Sequence, residues 1–245
     1  MYDIHCHILP GLDDGSPSFG ESLKMAIAAA ESGTDGIICT PHVLSEMPYD
    51  TERIHSRREK LSAMASDAGL KLRLYSGQEI MVGDNYREIP SLLRSHNLLT
   101  LAHSGYVLIE FPLFTDCEII KERTAYIASR GYIPIVAHPE RYCSIDVRQI
   151  IELKESGALI QLNKGSLKGS FGEDARSNAH AFLEDGLADF IASDSHSSKV
   201  RTPILVNAYN AVSRQYSDEY AARLMHINPV KILKNIKIST SLSKK

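Results

Sequence analysis

The chain has 245 residues and a formal net charge of −3, and 43% of its residues are hydrophobic and 23% are charged. This is the composition of an ordinary globular protein, which excludes disorder, collagen and coiled coil as descriptions of the whole chain. The slightly acidic balance lacks the basic footprint of nucleic-acid binding, so we expect no nucleic-acid partner. No apolar run approaches the roughly 18 residues that span a bilayer, and the N-terminus does not resemble a signal peptide, which predicts a cytoplasmic protein.

Short β-branched segments alternate with longer helical patterns along the chain. Several of the short segments are apolar throughout, as expected of strands that are covered on both faces of a parallel sheet. The predicted strands are residues 2–7, 36–40, 72–77, 107–111, 133–137, 159–162 and 189–193. The predicted helices are residues 18–31, 50–68, 115–129, 146–156, 174–184, 203–216 and 218–236. The first and third of them begin with capping boxes, Ser18-x-x-Glu21 and Thr115-x-x-Glu118.

This alternation predicts an α/β fold built from right-handed βαβ units. Seven such units in 245 residues favour a barrel over a doubly wound sheet. An open α/β sheet stays an alternative, because periodicity alone cannot prove closure. Nothing in the sequence marks a linker or a repeat, so we expect one domain over residues 1–238 and a flexible C-terminal tail over residues 239–245.

Side chains that commonly bind metals collect where the predicted strands end. In an α/β barrel these ends converge on one rim, where active sites are built. His5 and His7 share one face of the first strand, because side chains two residues apart point the same way. The other candidates are His42, Glu79, Glu110, His138, Asp194 and His196, with Asp13 and Asp14 in the first loop. This clustering predicts a metal centre.

The mixture of imidazole and carboxylate ligands suits Mn, Fe or Zn and argues against copper–thiolate and iron–sulfur sites. Nine candidate ligands, counting only one of the two aspartates, are too many for one ion, so we expect two or three divalent ions. Four of the carboxylates bring four negative charges and three divalent ions bring six positive ones. The surplus favours a bound phosphate dianion and a hydroxide, which is the arrangement used in phosphoester hydrolysis.

Basic side chains lie close to these ligands in the sequence. Arg141 and Arg201 carry planar guanidinium groups that match phosphate oxygens, and we expect them to hold the substrate phosphate. Lys164 and Lys168 follow the sixth strand on the same rim. Two interpretations of these lysines stay open: they attract an anionic substrate, or they are solvated loop charges.

The four cysteines, Cys6, Cys39, Cys117 and Cys143, are scattered, and we expect free thiols. Cys117 and Arg123 have the C-x5-R spacing of cysteine-dependent tyrosine phosphatases. The intervening residues are helix formers without glycine, and two of them are glutamates that would repel a phosphate dianion. Cys117 is therefore predicted to be a helix residue and not a nucleophile.

Several motifs resemble those of the polymerase-and-histidinol-phosphatase (PHP) superfamily. They are HCHILPGLDDG, TPH, GQEI, IEFP, AHPERY, QLNKGSLKGSFG and IASDSH, and they extend from residue 2 to about residue 203. Within the superfamily the chain is most similar to the metal-dependent protein-tyrosine phosphatases of bacterial capsule and exopolysaccharide operons. This resemblance implies a distorted (β/α)7 TIM-like barrel, the PHP fold, with three metal ions, commonly manganese.

The resemblance also implies roles for individual residues. The implied ligand sets are His5, His7, Glu79 and Asp194 for the first ion, Glu79, Glu110 and His138 for the second, and Asp14, His42 and His196 for the third. The family's Asp-Gly placement favours Asp14 over Asp13 as the ligand. Arg141 and Arg201 match the phosphate-binding arginines, and the implied nucleophile is a metal-bound hydroxide. No general acid is assigned.

The substrates implied by the resemblance are phosphotyrosines on the C-terminal tail of a bacterial tyrosine autokinase. The kinase alone would bring the protein to the cytoplasmic face of the membrane. The main alternative is a small-molecule phosphatase of the histidinol-phosphate kind, with the same ligands and different rim loops. A nuclease is disfavoured by the acidic charge, and a non-catalytic metal-binding scaffold by the complete ligand set with paired arginines. The sequence does not predict an oligomeric state.

Overall fold

The computed structural model describes residues 1–43 and 50–239. Its strands within these ranges are β1 (Tyr2–Cys6), β2 (Gly36–Cys39), β3 (His42–Val43), β4 (Arg73–Ser76), β5 (Glu79–Met81), β6 (Tyr106–Glu110), β7 (Ile133–Ala137), β8 (Leu159–Asn163) and β9 (Phe190–Ala192). Its α-helices there are α1 (Phe19–Glu31), α2 (Thr51–Asp67), α3 (Ile89–Arg94), α4 (Cys117–Ser129), α5 (Val147–Glu155), α6 (Glu173–Glu184), α7 (Val206–Gln215), α8 (Asp218–Ala222) and α9 (Asn228–Leu233). Residues 240–245 of the predicted tail lie outside the described residues.

Every described pair of neighbouring strands is parallel, which confirms the predicted α/β fold with parallel sheets. Within the described ranges one sheet has the order β1-β2-β4 and the other β3-β5-β6-β7-β8-β9. Two backbone hydrogen bonds link the sheets: Gly77 N–H donates to the Cys39 carbonyl at 3.0 Å and Glu79 N–H to the Pro41 carbonyl at 3.1 Å. Strands β3 and β5 therefore continue the directions of β2 and β4 after short breaks.

These two short strands correct the sequence prediction. His42 and Glu79 were expected in loops after the second and third strands, but they begin β3 and β5 and are direct cross-strand partners. The break before β5 occurs at Gly77, where an added Cβ would lie 2.9 Å from the Ile38 side chain and 3.0 Å from that of Leu101. The close approach of these side chains requires glycine, and the strand bends there before it resumes.

The first and last strands are also connected. Asp194 N–H donates to the His5 carbonyl, and His7 N–H donates to the Ser195 carbonyl, both at 2.9 Å. These bonds place the residues that follow β1 directly beside the residues that follow β9. The carboxyl ends of the first and last strands thus meet at one place.

Alternation along the strands separates two environments. In β6, Leu108 packs in an apolar cluster with Leu159 of β8 and Phe190 of β9, whereas Ile109 packs in a different cluster with helix residues. Because side chains two residues apart share a face of a strand, Glu110 continues the Leu108 face. We call this face the inner face, and in both β6 and β8 it is apolar near the start of the strand and polar at the carboxyl end.

The helix ends differ from the predictions in detail. Asp116 caps α4 by accepting a hydrogen bond from Glu118 N–H at 2.8 Å, so the capping role predicted for Thr115 is wrong. Ser18 caps α1 as predicted, but the carboxylate of Glu21 accepts from Ser198 N–H at 2.7 Å and does not return to the cap. At both helices the capping-box pattern predicted the start of the helix to within one residue. It did not predict all of the groups that form the hydrogen bonds there.

The C-terminal helical region is interrupted. The single helix predicted over residues 218–236 consists of α8, a π-helical turn over Arg223–Ile227, and α9. Pro229 lies in the first turn of α9 and has no N–H to continue an α-helical ladder, which accounts for the break. Helix α3 was missed because it is only six residues long. In the described part of the chain, every helix is too short or too polar to cross a membrane.

A buried ion pair outside the inner face provides a test of the packing. Lys154 Nζ lies 2.5 Å from Asp189 Oδ2, and their side chains are 4% and 11% exposed. We expect Lys154→Met to lower the free energy of unfolding by about 3–5 kcal/mol, because it leaves Asp189 buried without its cation. Denaturant titration measures this, with Arg176→Ala in the exposed Arg176–Glu173 pair as the control, expected to change stability by less than about 1 kcal/mol. Equal effects of the two substitutions would contradict the prediction.

Candidate metal centre

Histidine and carboxylate side chains converge at the carboxyl ends of the strands. Each of the nine predicted ligands belongs to at least one group whose donor atoms all lie within 4.8 Å of one another. Among the described residues these groups are His7–Asp14–His42–His196, His5–His138–Asp194, His5–His7–Glu79 and His42–Glu79–Glu110. The structure thus brings together all the residues that the sequence singled out as ligands, from six different strands and their adjoining loops.

The carboxylate of Glu79 is at the middle of this cluster. Its side chain is completely buried. Its Oε2 lies 3.0 Å from His5 Nε2 and 3.2 Å from His7 Nε2, and its Oε1 lies 3.0 Å from His138 Nε2. Glu79 belongs to two of the four ligand groups, so one carboxylate is shared between them.

Asp194 contacts a different part of the cluster. Its Oδ1 lies 3.5 Å from Nε2 of both His5 and His7 and 3.6 Å from His196 Nδ1. The backbone φ angles of Asp194 and His138 are +47° and +38°, in the left-handed region that residues with a Cβ rarely adopt. Two such residues at strand ends in one cluster are typical of a site where geometry is held against local strain.

The donor set fits divalent metal ions. His42 Nδ1 lies 2.8 Å from Glu110 Oε1 and 3.1 Å from Glu79 Oε2, yet none of these three buried atoms makes a hydrogen bond of acceptable geometry. His5 Nε2 and His7 Nε2 are only 3.0 Å apart. Buried polar atoms that converge without hydrogen bonding are costly unless another group satisfies them, and a shared cation does so.

Electrostatic coupling keeps the Glu79 carboxylate ionised. Burial alone would raise the pKa of Glu79, but His5 and His138 hold it well below its usual range. Burial likewise would lower the pKa of His5, whereas the charges of Glu79 and Asp194 raise it. Burial together with the positive charges of His7 and Arg201 lowers the pKa of His196 to about 4. The cluster therefore offers negative oxygens and a neutral His196 imidazole, which are the forms that bind cations.

The two neighbouring aspartates have different positions. Asp13 Oδ2 accepts a hydrogen bond from His7 Nδ1 at 2.7 Å and from His42 N–H at 2.9 Å. Asp14 Oδ1 instead lies 3.3 Å from His196 Nε2 and 3.6 Å from His42 Nε2. Asp13 thus orients an imidazole from behind, and Asp14 faces the donor atoms directly. The family resemblance implied Asp14 as the ligand, and that assignment stays a prediction.

Sequence reasoning missed a chain of amides behind the cluster. Gln161 Oε1 lies 2.8 Å from His5 Nδ1, Gln161 Nε2 donates to Asn163 Oδ1 at 2.9 Å, and Asn163 Nδ2 donates to Asp194 Oδ2 at 2.5 Å. Hydrogen bonds of this kind, made to metal ligands by the residues behind them, fix the orientations of the imidazole rings and carboxylates. The sequence feature that could have indicated these amides is a pair of polar residues, Gln161 and Asn163, on one face of the otherwise apolar strand β8.

The two predicted phosphate-binding arginines flank Asp194. Arg201 Nη2 lies 2.5 Å from Asp194 Oδ2, and Arg141 Nη1 lies 3.7 Å from the same oxygen. Their guanidinium carbons lie 5.6 Å and 4.3 Å from the centre of the Phe171 ring. The aromatic ring, which the sequence did not single out, positions both cations at the edge of the cluster.

The cysteines behave as predicted. All four are free. Cys117 begins α4, and burial together with the charges of Asp116 and Glu118 raises the pKa of its thiol. A reactive thiolate requires the opposite shift. The C-x5-R spacing is therefore a feature of a helix and not of a phosphate-binding loop.

Two known proteins are similar to this chain in sequence. The chain is 34% identical over 226 residues to tyrosine-protein phosphatase YwqE of Bacillus subtilis, which covers 89% of this chain and 86% of the relative. It is 31% identical over 245 residues to tyrosine-protein phosphatase CpsB of Streptococcus agalactiae, which covers 96% and 99%. The similarity therefore extends over nearly the whole of each chain.

Solved structures agree with the sequence relatives. The fold matches a chain from the crystal structures of YwqE from Bacillus subtilis and CpsB from Streptococcus pneumoniae, described as unique metal-dependent tyrosine phosphatases. The TM-score is 0.87 at 32% identity, over 97% of this chain and 96% of the other. A D-hydantoinase at 15% identity and a TM-score of 0.56 shares the fold alone. A family model for capsular polysaccharide synthesis, CpsB/CapC, matches residues 1–234, and the chain belongs to this family.

Proposed function

We propose that this protein is a metal-dependent protein-tyrosine phosphatase that acts in the regulation of capsule or exopolysaccharide synthesis. The observation that carries the proposal is the set of overlapping imidazole and carboxylate groups with two arginines beside them. The names of the relatives, tyrosine-protein phosphatases YwqE and CpsB, support the same activity.

The proposed centre holds two or three divalent ions, with manganese favoured and iron or zinc as alternatives. Glu79 would be a ligand shared by two of them, and Asp14, His42 and His196 would hold the third. When bound, such ions supply an activated water and neutralise charge on the phosphate. Histidine and carboxylate ligands without a required thiolate support this choice of metals.

The chain's own residues orient the phosphate. Arg141 and Arg201 point their guanidinium groups toward Asp194 from outside the cluster, so a phosphate there would accept their hydrogen bonds on its equatorial oxygens. Phe171 restrains both side chains, which lowers the cost of ordering them when substrate binds. The leaving phenolate, with a pKa near 10, requires less protonation than an alkoxide.

The proposed substrate is a phosphotyrosine in the C-terminal tail of a bacterial tyrosine autokinase. The enzyme would bind this tail at the cytoplasmic face of the membrane. The capsule-synthesis family supports this partner. Two buried free thiols, Cys6 and Cys39, are consistent with a reducing compartment. Turnover of a phosphotyrosine peptide compared with histidinol phosphate tests the substrate class, and preference for the small molecule would contradict it.

We also propose that residues 1–238 form one domain whose strands close into a distorted (β/α)7 barrel. The bonds from Asp194 to His5 and from His7 to Ser195 support closure between the first and last strands. One apolar cluster that extends from Val43 to Met225 supports a single domain.

The metal assignment predicts the effect of removing a ligand. We expect His138→Ala to lower phosphotyrosine-peptide turnover by about 100-fold or more, because bound ions supply several kcal/mol of transition-state stabilisation. Metal analysis should show a lower ion content in the same samples. His226→Ala, in an exposed ring outside the described ligand groups, serves as the control. Wild-type turnover by the His138 variant at equal metal loading would refute the assignment.

The phosphate assignment predicts a different outcome at Arg201. Loss of one charge-assisted donor to the reacting phosphate costs roughly 10²–10³ in rate, so we expect Arg201→Ala to lower kcat/KM by that factor. Arg201→Lys should recover only part of it, because lysine lacks the planar fork. Metal content should not change, since guanidinium is not a ligand. Lys199→Ala, in an exposed residue of the same loop, is the matched control, and a loss of less than about threefold in Arg201→Ala would remove Arg201 from the site.

The thiol provides a test of the nucleophile. We expect Cys117→Ser to keep most of the wild-type activity, because its thiol has a raised pKa and lies in a helix. Chelators should inhibit more strongly than thiol-blocking reagents. A folded but inactive Cys117→Ser enzyme would show that the metal mechanism is wrong.

A further inference from the structure

A cavity of about 350 Å³ opens beside the candidate metal centre. It lies between the loop that follows β8 and the segment that leads into α7. Arg201 lines this cavity and also contacts Asp194 of the metal cluster. The cavity is therefore continuous with the place where the substrate phosphate is proposed to bind, but it contains none of the nine proposed ligands.

The charges around the cavity are all of one sign. Lys164, Lys168 and Arg201 line it, and no carboxylate is among the described residues of its wall. Lys164 Nζ has a hydroxyl partner, Thr202 Oγ1, at 3.3 Å. Burial is the main cause of a lowered pKa at Lys164, and the nearby charge of Lys168 adds to it, whereas the charge of Asp3 opposes it. An anion in the cavity would stabilise the charged forms of both lysines.

The remaining wall combines apolar side chains with small polar ones. Phe171, Ile204 and Ala208 contribute to it, and Val200 at its edge is 89% exposed. The Phe171 ring lies against the guanidinium groups of both Arg141 and Arg201, so one apolar residue of the cavity wall contacts both phosphate-binding arginines. This combination suits a side chain with an apolar body and an anionic end.

We propose that this cavity is a specificity subsite that binds an anionic side chain next to the phosphotyrosine being hydrolysed. The inference rests on the proposed phosphatase function and adds the preferred substrate, an acidic peptide. Successive residues of an extended peptide are 3.3–3.6 Å apart, so a neighbouring side chain can reach a cavity that shares Arg201 with the phosphate site. The cations of the cavity wall would bind a carboxylate or a second phosphate by the same charge-assisted hydrogen bonds.

Peptides that differ only beside the phosphotyrosine test the proposal. Four peptides carry glutamate, a second phosphotyrosine, glutamine or lysine at both flanking positions. For the manganese-loaded enzyme we expect kcat/KM to be roughly 10- to 100-fold higher with glutamate than with glutamine, the range for hydrogen bonds to charged groups. The second-phosphotyrosine peptide shows whether phosphate is preferred to carboxylate. Lysine should give the lowest value.

Charge reversal identifies the residues responsible. Lys168 is exposed, so Lys168→Glu is expected to fold, which the thermal midpoint checks. We expect this variant to lose the preference for glutamate and to favour the lysine peptide. Lys164→Gln should reduce the preference without reversing it. Lys199→Glu, which changes the same charge in a neighbouring loop outside the cavity wall, should keep the preference.

The outcomes separate the subsite from the activity. Equal kcat/KM for the glutamate and glutamine peptides, with both hydrolysed, would overturn the subsite and leave the phosphatase function standing. An unchanged preference in Lys168→Glu would also overturn it. Failure of the manganese-loaded enzyme to hydrolyse any phosphotyrosine peptide, or 4-nitrophenyl phosphate, would overturn the proposed function and the subsite with it.

Discussion

The fold is organised around a buried concentration of negative charge. Glu79 is completely buried and Asp194 nearly so, and each is surrounded by imidazoles from distant parts of the chain. An uncompensated carboxylate in such a place would be protonated or would destabilise the folded state. Imidazoles and, in our proposal, divalent ions compensate it. The strand ends must therefore converge closely enough for each carboxylate to meet several partners.

This convergence depends on the division of each strand into an apolar and a polar part. Leu159 at the start of β8 packs in the inner apolar cluster, whereas Gln161 and Asn163 on the same face bind His5 and Asp194. The apolar part stabilises the fold by burial, and the polar part orients the ligands. A change at Gln161 would therefore affect two ligands without altering the packing beneath them.

The sequence predicted the strands that are long and apolar and missed the segments that are short. Residues 133–137 are apolar throughout and form β7 as predicted, but β3 has only two residues, too few for any periodic pattern. The predicted ligands lie together because parallel strand ends necessarily meet, and the family resemblance is confirmed by the CpsB/CapC match. Phe171 could not be predicted, since its role depends on two arginines that are 30 or more residues away in the sequence.

Asp194 connects the proposed metals to the proposed substrate site. Its Oδ1 faces three histidines, while its Oδ2 accepts from Asn163 and pairs with Arg201. A cation beside Oδ1 would draw the charge of this carboxylate toward the cluster, and the guanidinium of Arg201 would then be less fully neutralised. Because Asp194 and Phe171 already fix its direction, the side chain would not need to reorganise when a phosphate binds. In our proposal, one carboxylate thus contacts the metal ligands through one oxygen and a phosphate-binding arginine through the other.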